Sequence, residues 1–257
     1  MNVQELEIAS RIAWPALEEI ELEGGVLRYA CGVSRHSNAM IPSASGQFCP
    51  RTLISETERF YGAKGQAAVV KVLTKKNSPT DFANLDSLLV QGKYEKEAPT
   101  AVLGLNLNDF NSVIKPAVEF QMSKCSRSEW VKSWHAVRKF DRLHLSTHSQ
   151  LLERISGDVS CLVLSDQVGK PCATGMAVRH ANTLGIFGMA TDSNYQGQGL
   201  ASSVLGSLLN WGKKRTAEFA YLQVEVCNEP AQSLYNKFGF SPQYSYWYRV
   251  KDVAGAI

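Results

Sequence analysis

Two stretches near the carboxyl end of the chain decide its fold. The first is a glycine-rich turn that leads into an apolar-periodic segment, Gln196-Gly197-Gln198-Gly199-Leu200-Ala201. The second follows the next apolar segment and reads Asn228-Glu229-Pro230-Ala231-Gln232-Ser233-Leu234-Tyr235-Asn236-Lys237-Phe238-Gly239-Phe240. Because proline suits the first turn of a helix and glycine commonly follows the last, the second stretch predicts a helix from Pro230 to Gly239.

The glycine-rich turn predicts an anion-binding site at the start of a helix. Gly197 and Gly199 allow the backbone to turn and to approach a ligand closely. The helix predicted over 198–214 presents unpaired amide N–H groups and the positive end of its dipole, worth ~0.3–1 kcal/mol per anion contact. The turn lacks the lysine ending of a Walker loop, and Ser202 replaces the last glycine of a dinucleotide-binding pattern. Taken alone, the turn is also compatible with a simple helix cap.

The elements of the carboxyl-terminal half predict a mixed α/β fold. Their periodicity indicates helices over 127–140, 147–155, 198–214 and 230–239, and strands over 118–123, 160–165, 173–179, 183–191, 219–226 and 244–250. Three consecutive strands joined by short turns are unlike the strand–helix alternation of a Rossmann domain. We therefore expect a mixed, mostly antiparallel sheet flanked by helices.

The amino-terminal half predicts a smaller α/β domain that repeats part of the larger one. Strands are expected over 25–31, 67–73 and 101–107, helices over 54–61 and 85–94, a helical or turn segment opening at Trp14-Pro15, and a polar loop over 34–50. The unit of helix, glycine, aromatic residue and strand at 85–107 parallels the one at 234–250, which suggests a degenerate copy. Asn, Asp and Pro concentrate near 108–116, so we predict domains at 1–110 and 111–257.

Composition argues against several classes of protein. The 257 residues include 27 Lys and Arg and 24 Asp and Glu, and the net charge of +3 is too small to indicate a nucleic-acid partner. No apolar segment is long enough to predict a membrane span or a secretion signal. Six scattered cysteines without a C-x-x-C pair predict reduced core thiols in a cytoplasmic protein and no metal site: Cys31, Cys49, Cys125, Cys161, Cys172 and Cys227.

In this order, the two stretches closely resemble the acyl-CoA-binding core of the GNAT superfamily of N-acetyltransferases. Gln196, Gly199 and Ala201 match the family pattern of Arg or Gln, two residues, Gly, one residue, then Gly or Ala. The resemblance covers residues 120–250, and the amino-terminal half loosely resembles that of some two-part bacterial acetyltransferases. It implies acetyl-CoA as the donor, with the loop amides holding the pyrophosphate and the preceding, splayed strand pairing with the pantetheine arm. The implied acetyl-CoA-binding residues are Gly188, Met189, Ala190, Thr191, Gln196, Gly197, Gln198, Gly199, Leu200, Ala201, Asn228 and Tyr235.

Two side chains are the candidates for catalysis. Tyr235 matches a frequent family tyrosine, and its phenol could stabilise the departing CoA thiolate; the alternative is a ring that packs in the core. An alkylammonium of pKa ~10.4 is almost fully protonated at pH 7, so a base or a water chain is expected. Glu225 is the best candidate because it alternates out of the apolar face of its strand near Asn228; the alternative is an ordinary solvent-facing strand glutamate.

Several questions stay open at the level of sequence. Arg35 and Asn38 contact the substrate only if the amino-terminal half packs over the cleft; otherwise they belong to an ordinary polar loop. The residues expected at the surface or at helix ends are His135, His144 and His148. The acceptor is a small-molecule or peptide amine of unknown identity, and Tyr246 and Trp247 could line its pocket or fill a core. The aromatic strand over 244–250 would permit a homodimer but does not require one. The rival function is a non-catalytic CoA-binding regulatory module.

Overall fold

The computed structural model describes residues 1–74, 80–111, 119–141 and 143–253, and its strands form one mixed sheet. The helices are α1 Val3–Ala13, α2 Pro50–Gly62, α3 Thr80–Gln91, α4 Arg127–Arg138, α5 Leu143–Glu153, α6 Leu200–Lys213 and α7 Glu229–Lys237. The strands are β1 Glu18–Leu22, β2 Gly25–Tyr29, β3 Met40–Pro42, β4 Ala68–Thr74, β5 Glu95–Asn106, β6 Gln121–Cys125, β7 Asp158–Ser165, β8 Pro171–His180, β9 Thr183–Thr191, β10 Phe219–Glu225 and β11 Ser241–Lys251. The predicted fold class, a mostly antiparallel sheet flanked by helices, is confirmed.

The order of the strands reveals an internal repeat. The sheet runs β1-β2-β3-β4-β11-β5-β10-β9-β8-β7-β6. If β6 is left out and β1 to β5 are matched in turn with β7 to β11, the order is the same when it is read from either end. The matched pairs β3/β4 and β9/β10 are the parallel ones, and each is connected by a helix, α2 or α6. The repeat that the sequence suggested at 85–107 and 234–250 is thus the α3–β5 and α7–β11 part of a longer one.

The two repeats exchange their last strands. β5, from the amino-terminal half, lies between β11 and β10 and pairs antiparallel with both. β11 in turn lies between β5 and β4. The strand β11 is therefore central rather than an edge, with both of its backbone edges paired, and the homodimer that its aromatic composition would permit stays a prediction. The division into domains at residue 110 stays a prediction.

The helices cover the sheet in two layers, as the alternation of side chains along the strands requires. On β10, Leu222 and Val224 pack in one buried cluster with side chains of α6. On the opposite face, Met176 and Val178 of β8 pack with Trp130 of α4. Helices α1 and α4 both contact β8 and β9, so the amino-terminal helix lies over strands of the other half.

Several predicted boundaries are wrong. The expected polar loop over 34–50 contains β3, whose three residues are too few to show a period, and a 3₁₀ turn over Arg35–Ser37. Trp14 ends a helix rather than opening one, since α1 begins at a capping box formed by Asn2 and Glu5. The strand expected at 118–123 is β6, Gln121–Cys125, and position 118 lies outside the described residues.

The cysteines only partly follow expectation. All six are free thiols, but only Cys161 and Cys172 are buried, whereas Cys31, Cys49 and Cys227 are exposed. Burial raises the pKa of the Cys161 thiol to about 12. Within the described ranges, no cluster of His, Cys, Asp and Glu is arranged to hold a metal ion. No helix in that part of the chain is long and apolar enough to cross a membrane.

Candidate active site

The site lies where β9 and β10 diverge. Their parallel pairing runs from Thr183–Phe219 to Ile186–Leu222 and then stops. The rest of β9, up to Thr191, continues without β10 as a partner, so its edge toward β10 is free to pair with an extended ligand. The sequence-predicted residues Gly188, Met189, Ala190 and Thr191 all lie in this diverging segment.

A bulge at Gly188 gives β9 its shape. The pairing between β8 and β9 shifts between Thr174 and Met176, which leaves an extra residue on β9. Gly188 has a φ of 56°, and a Cβ at this position would lie 2.3 Å from the ring of Trp130. The Thr174 hydroxyl donates to the Gly188 carbonyl at 3.0 Å. The indole of Trp130 and the positive φ together explain why only glycine fits here.

The glycine-rich turn forms an open amino terminus on α6. Gly197 and Gly199 have φ of 76° and 78°, and a Cβ added at either would meet no other atom within 4 Å. Gly199 is the N-cap residue, and no side chain in the described ranges caps α6. Gln196 and Gln198 are exposed, Ala201 is half-buried, and Leu200 is buried in the core and anchors the turn. The first amides of α6 are therefore available to an anion, as the motif predicted.

A cavity of about 430 Å³ opens between the diverging strands and the end of α4. The amino-terminal half contributes Trp14, Val33, Ser34 and His36 to its lining. The carboxyl-terminal half contributes Trp134, Arg138, Phe140, His148, Ile186, Phe187, Gly188, Met189, Leu222, Gln223, Val224, Glu225, Asn228 and Tyr235. The site thus includes side chains of both halves, and no pattern in the sequence indicated Trp14, Trp134 or Phe140 as part of it.

Tyr235 reaches the cavity from α7 and is only 6% exposed. Its ring packs edge-on against Phe240, with ring centroids 6.0 Å apart. Burial raises the pKa of its phenol to about 12, so the hydroxyl keeps its proton at neutral pH. No group in the described part of the chain hydrogen-bonds this hydroxyl, which leaves it able to donate to a ligand. Core packing and a role in the site, the two alternatives from the sequence, are both compatible with this position.

Asn228 and Glu225 lie beside each other at the end of β10. The Asn228 side chain accepts a hydrogen bond from the Ala231 amide at 3.2 Å and so caps α7. Glu225 is exposed, lines the cavity on the same face of β10 as Gln223, and accepts from the Cys227 thiol at 3.6 Å. The predicted alternation, with Leu222 and Val224 on one face and Gln223 and Glu225 on the other, is what the strand shows.

Buried Arg28 holds the amino-terminal wall of the cavity in place. Its guanidinium donates to the Trp14 carbonyl at 2.7 Å and to the His36 carbonyl at 2.6 Å, and pairs with Glu19 at 2.8 Å. The ring of Trp14 then stacks on Phe187 of β9. Burial, followed by the charges of Arg28 and Lys71, holds the pKa of His36 well below its usual range, so this imidazole is neutral at neutral pH.

The two loop residues that the sequence offered as substrate contacts are used elsewhere. Arg35 forms an ion pair with Glu97. The Asn38 side chain accepts from the amides of Ala30 and Gly32, at 2.7 Å and 2.9 Å, and fixes the loop backbone. The amino-terminal half does pack over the cleft, as the hypothesis required, but Ser34 and His36 are the residues of this loop that face it.

The aromatic strand β11 fills the core rather than lining the cavity. Tyr246 is buried and donates to Gln223 at 2.6 Å, and Gln223 donates to the Ser10 hydroxyl at 2.6 Å. Trp247 is on the other face of the sheet, where its indole N–H donates to Asp86 at 3.0 Å. Of the two alternatives for these aromatic residues, the structure supports core packing.

The expected surface role of the α4 and α5 histidines is wrong for two of them. His135 and His148 are buried, and His135 Nε2 lies 2.8 Å from His148 Nδ1. Burial lowers the pKa of both rings, that of His148 to about 4, so the pair shares one hydrogen bond between neutral imidazoles. Helix-face periodicity could have placed them inward, since both follow apolar residues at helical spacing.

Comparison with known proteins agrees with this geometry. The profile of the family described as "Probable histone acetyltransferase Rv0428c C-terminal" matches residues 1–249. The chain belongs to this family. The "Uncharacterized N-acetyltransferase YobR" of Bacillus subtilis (strain 168) is 24% identical over 257 residues, which cover 97% of this chain and 99% of that protein. The protein is thus an N-acetyltransferase, which confirms the enzyme class that the motifs implied.

Solved structures of the GNAT superfamily share its fold. The GCN5-related N-acetyltransferase from Kribbella flavida superposes with a TM-score of 0.72 at 14% identity, covering 98% of this chain and 96% of its own. A tandem GNAT protein from the clavulanic acid biosynthesis pathway superposes with a TM-score of 0.64 at 9% identity, covering 97% and 88%. The tandem architecture fits the internal repeat of this GNAT acetyltransferase.

Proposed function

We propose that this acetyltransferase transfers the acetyl group of acetyl-CoA to a primary amine by direct attack of the amine on the thioester. One observation carries the proposal: β9 and β10 diverge into a single cavity that Tyr235, Asn228 and Glu225 all line. The extended arm of a thioester can enter between the strands. The acceptor can approach from the part of the cavity that side chains of both halves line. The free cysteines are compatible with the cytoplasmic location that we also propose.

Acetyl-CoA would be held by backbone groups. The open amides of residues 196–201 suit its pyrophosphate, because Gly197 and Gly199 leave space and the α6 dipole favours an anion. The diverging segment of β9, residues 188–191, offers the backbone edge for the pantetheine arm, with Asn228 at the far side of the cleft. Acetyl-CoA supplies the acetyl group as a thioester.

Tyr235 would stabilise the leaving group. The amine nitrogen attacks the thioester carbonyl, the C–N bond forms, the C–S bond breaks, and the sulfur departs as a thiolate. A phenol with a pKa of about 12 is a weaker acid than a thiol, so full proton transfer from Tyr235 is unfavourable. Its hydroxyl therefore donates a hydrogen bond to the sulfur, and the thiolate takes the proton released from the amine.

Glu225 would assist the acceptor. Converting an alkylammonium of pKa ~10.4 to the neutral amine at pH 7 costs about 4–5 kcal/mol. The exposed carboxylate of Glu225 attracts the ammonium and can accept its proton through water. We place this residue as the general base because it is the carboxylate that lines the cavity within the described residues.

The test is release of CoA thiol from acetyl-CoA in the presence of a panel of primary amines. The panel contains amino acids, alkylamines, amino sugars and peptides with a free amino terminus. Turnover that depends on one class of amine, with the acetylated product identified by mass, supports the proposal. A folded protein that binds acetyl-CoA but transfers acetyl to none of these amines contradicts it.

A further inference from the structure

The cavity contains one cation that has no carboxylate partner among the described residues. Arg138 lies in the last turn of α4 and lines the cavity. The side chain is exposed and forms no ion pair with the described residues, and its guanidinium stacks on the ring of Phe140, with the guanidinium carbon 5.2 Å from the ring centroid. An arginine that only contacts solvent gains little from a fixed side-chain position, whereas stacking on an aromatic ring holds the guanidinium in one orientation. Arg138 is thus placed to bind an anionic group.

The wall between Arg138 and the thioester cleft is aromatic. Phe140 packs edge-on against Trp134, with centroids 5.0 Å apart, and Trp134 packs edge-on against Trp14 at 6.0 Å. Trp14 stacks on Phe187, which belongs to the diverging strand β9. A continuous row of rings therefore leads from the guanidinium to the reaction centre, and it suits the apolar body of a ligand.

The charges in the cavity have a simple pattern. Among the described residues that line it, Arg138 is the one cationic side chain and Glu225 is the one carboxylate. The two histidines there, His36 and His148, are neutral because burial lowers the pKa of each ring. A ligand with an ammonium group at one end, an anionic group at the other and an apolar body matches this arrangement.

We propose that the acceptor is an amino acid whose amine and carboxylate stand at opposite ends of an apolar body, with the amine facing the thioester and the carboxylate bound to Arg138. This assignment rests on the proposed function and deepens it by naming the acceptor class. Arg138 acts as a specificity-determining residue: its two-pronged guanidinium binds the two carboxylate oxygens, while the apolar body between amine and carboxylate lies along the row of rings.

A matched pair of acceptors tests this role. 4-(2-Aminoethyl)benzoate and 2-phenylethylamine share the amine and the ring, and only the benzoate carries a carboxylate, on the far side of the ring from the amine. The measurement is kcat/KM for each acceptor, with acetyl-CoA saturating, for the wild type, Arg138→Gln and Lys132→Gln. Lys132 is an exposed cation on the same helix that does not line the cavity, so its variant controls for loss of charge.

The expected result is a selective loss. Arg138→Gln lowers kcat/KM for 4-(2-aminoethyl)benzoate by about tenfold to a hundredfold, mainly through KM, and leaves that for 2-phenylethylamine within about twofold. For each acceptor, kcat/KM of the variant is divided by kcat/KM of the wild type. The two quotients are then compared, so the different basicity of the two amines cancels. Arg138→Lys recovers part of the loss, since a point charge remains without the two-pronged geometry. Lys132→Gln leaves kcat/KM unchanged for both acceptors.

Three outcomes overturn the assignment. Equal losses for both acceptors would make Arg138 a structural residue, for instance a partner of the α4 dipole. No change for either would remove it from the acceptor site. Turnover with other amines of the panel but with neither of these two would refute the acceptor class while leaving the acetyl transfer intact. Absence of turnover with every amine would instead refute the proposed function.

Discussion

The indole of Trp14 stacks on the ring of Phe187, with centroids 5.5 Å apart and planes 27° apart. Trp14 follows the amino-terminal helix, whereas Phe187 is the first residue of β9 beyond its pairing with β10. The contact joins the degenerate repeat to the strand that opens the cleft. The amino-terminal half is therefore a wall of the site and not only a scaffold beside it.

The first prediction concerns this stack. Trp14→Ala removes a ring that is 7% exposed, and it lowers the free energy of unfolding by about 3–5 kcal/mol. Trp14→Phe keeps part of the stack and costs less. Both variants raise the acceptor KM and leave the dissociation constant of acetyl-CoA unchanged. Urea unfolding and steady-state kinetics measure the two effects, and a parallel loss of acetyl-CoA affinity would argue against an acceptor wall.

The second prediction concerns Tyr235. Tyr235→Phe keeps the packing against Phe240 but removes the hydroxyl, so kcat falls by about a hundredfold while acetyl-CoA affinity is kept. The matched control is Tyr94→Phe, which removes a hydroxyl that donates to Glu58 away from the cavity. Single-turnover kinetics separate the chemical step from binding. An unchanged kcat in Tyr235→Phe would return this residue to a purely structural role.

The third prediction concerns the bulge. Gly188→Ala places a Cβ at 2.3 Å from Trp130, a fully buried ring that cannot move away cheaply. Gly169→Ala is the matched control, because Gly169 also has a positive φ, 83°, but open space around it. The free energy of unfolding falls by about 1 kcal/mol in the control because of backbone strain, and by several times more in Gly188→Ala. Equal losses in thermal unfolding would show that the indole tolerates the methyl group.

The fourth prediction concerns pH. Burial lowers the pKa of His148 to about 4, so the unfolded chain binds its proton near pH 6.5 and the folded chain only near pH 4. The contribution to stability is therefore lost as pH falls from about 6.5 to 4, and amounts to about 3 kcal/mol at most. Urea unfolding at several pH values shows this slope. His148→Gln flattens it, and parallel curves for the two proteins would contradict the neutral histidine pair.

Local patterns in the sequence predicted the elements that we propose to bind the donor. The turn at 196–201, the helix after it and the alternation of Gln223 and Glu225 depend on neighbouring residues, so periodicity and glycine positions were sufficient. The family resemblance then supplied the splayed strands. The binding roles of Gly188 to Thr191, Asn228 and Tyr235 stay predictions, although the structure brings them to one cleft or beside it.

The acceptor side could not be predicted, because it is built from contacts distant in the chain. Trp14 meets Phe187 only because α1 lies over β8 and β9, and nothing near Trp14 in the sequence indicates that. The exchange of β5 and β11 is likewise a long-range pairing. Helix-face periodicity could have placed His135 and His148 inward, but the hydrogen bond between them joins two helices and leaves no pattern in the sequence.

The repeat also shows how two equivalent strand positions differ between the halves. Lys71 of β4 and Gln223 of β10 hold equivalent positions in the two repeats. Lys71 follows Val70, the residue of β4 that pairs with β3, and Gln223 follows the last residue of β10 that pairs with β9. Gln223 faces the cavity, but Lys71 is buried and paired with Glu7 of α1 at 2.7 Å. Helix α1 therefore buries Lys71, whereas the equivalent Gln223 lines the cavity.

The most direct test is calorimetric titration of the protein with acetyl-CoA, beside two glycine variants. Gly199→Glu adds a carboxylate at the open amino terminus of α6, whereas Gly65→Glu adds the same charge at an exposed glycine with a φ of 61° and open space in the other half. The account predicts equal binding by the wild type and Gly65→Glu and loss of binding by Gly199→Glu. Wild-type protein that is folded but does not bind, or a Gly199→Glu variant that binds like the wild type, would contradict it.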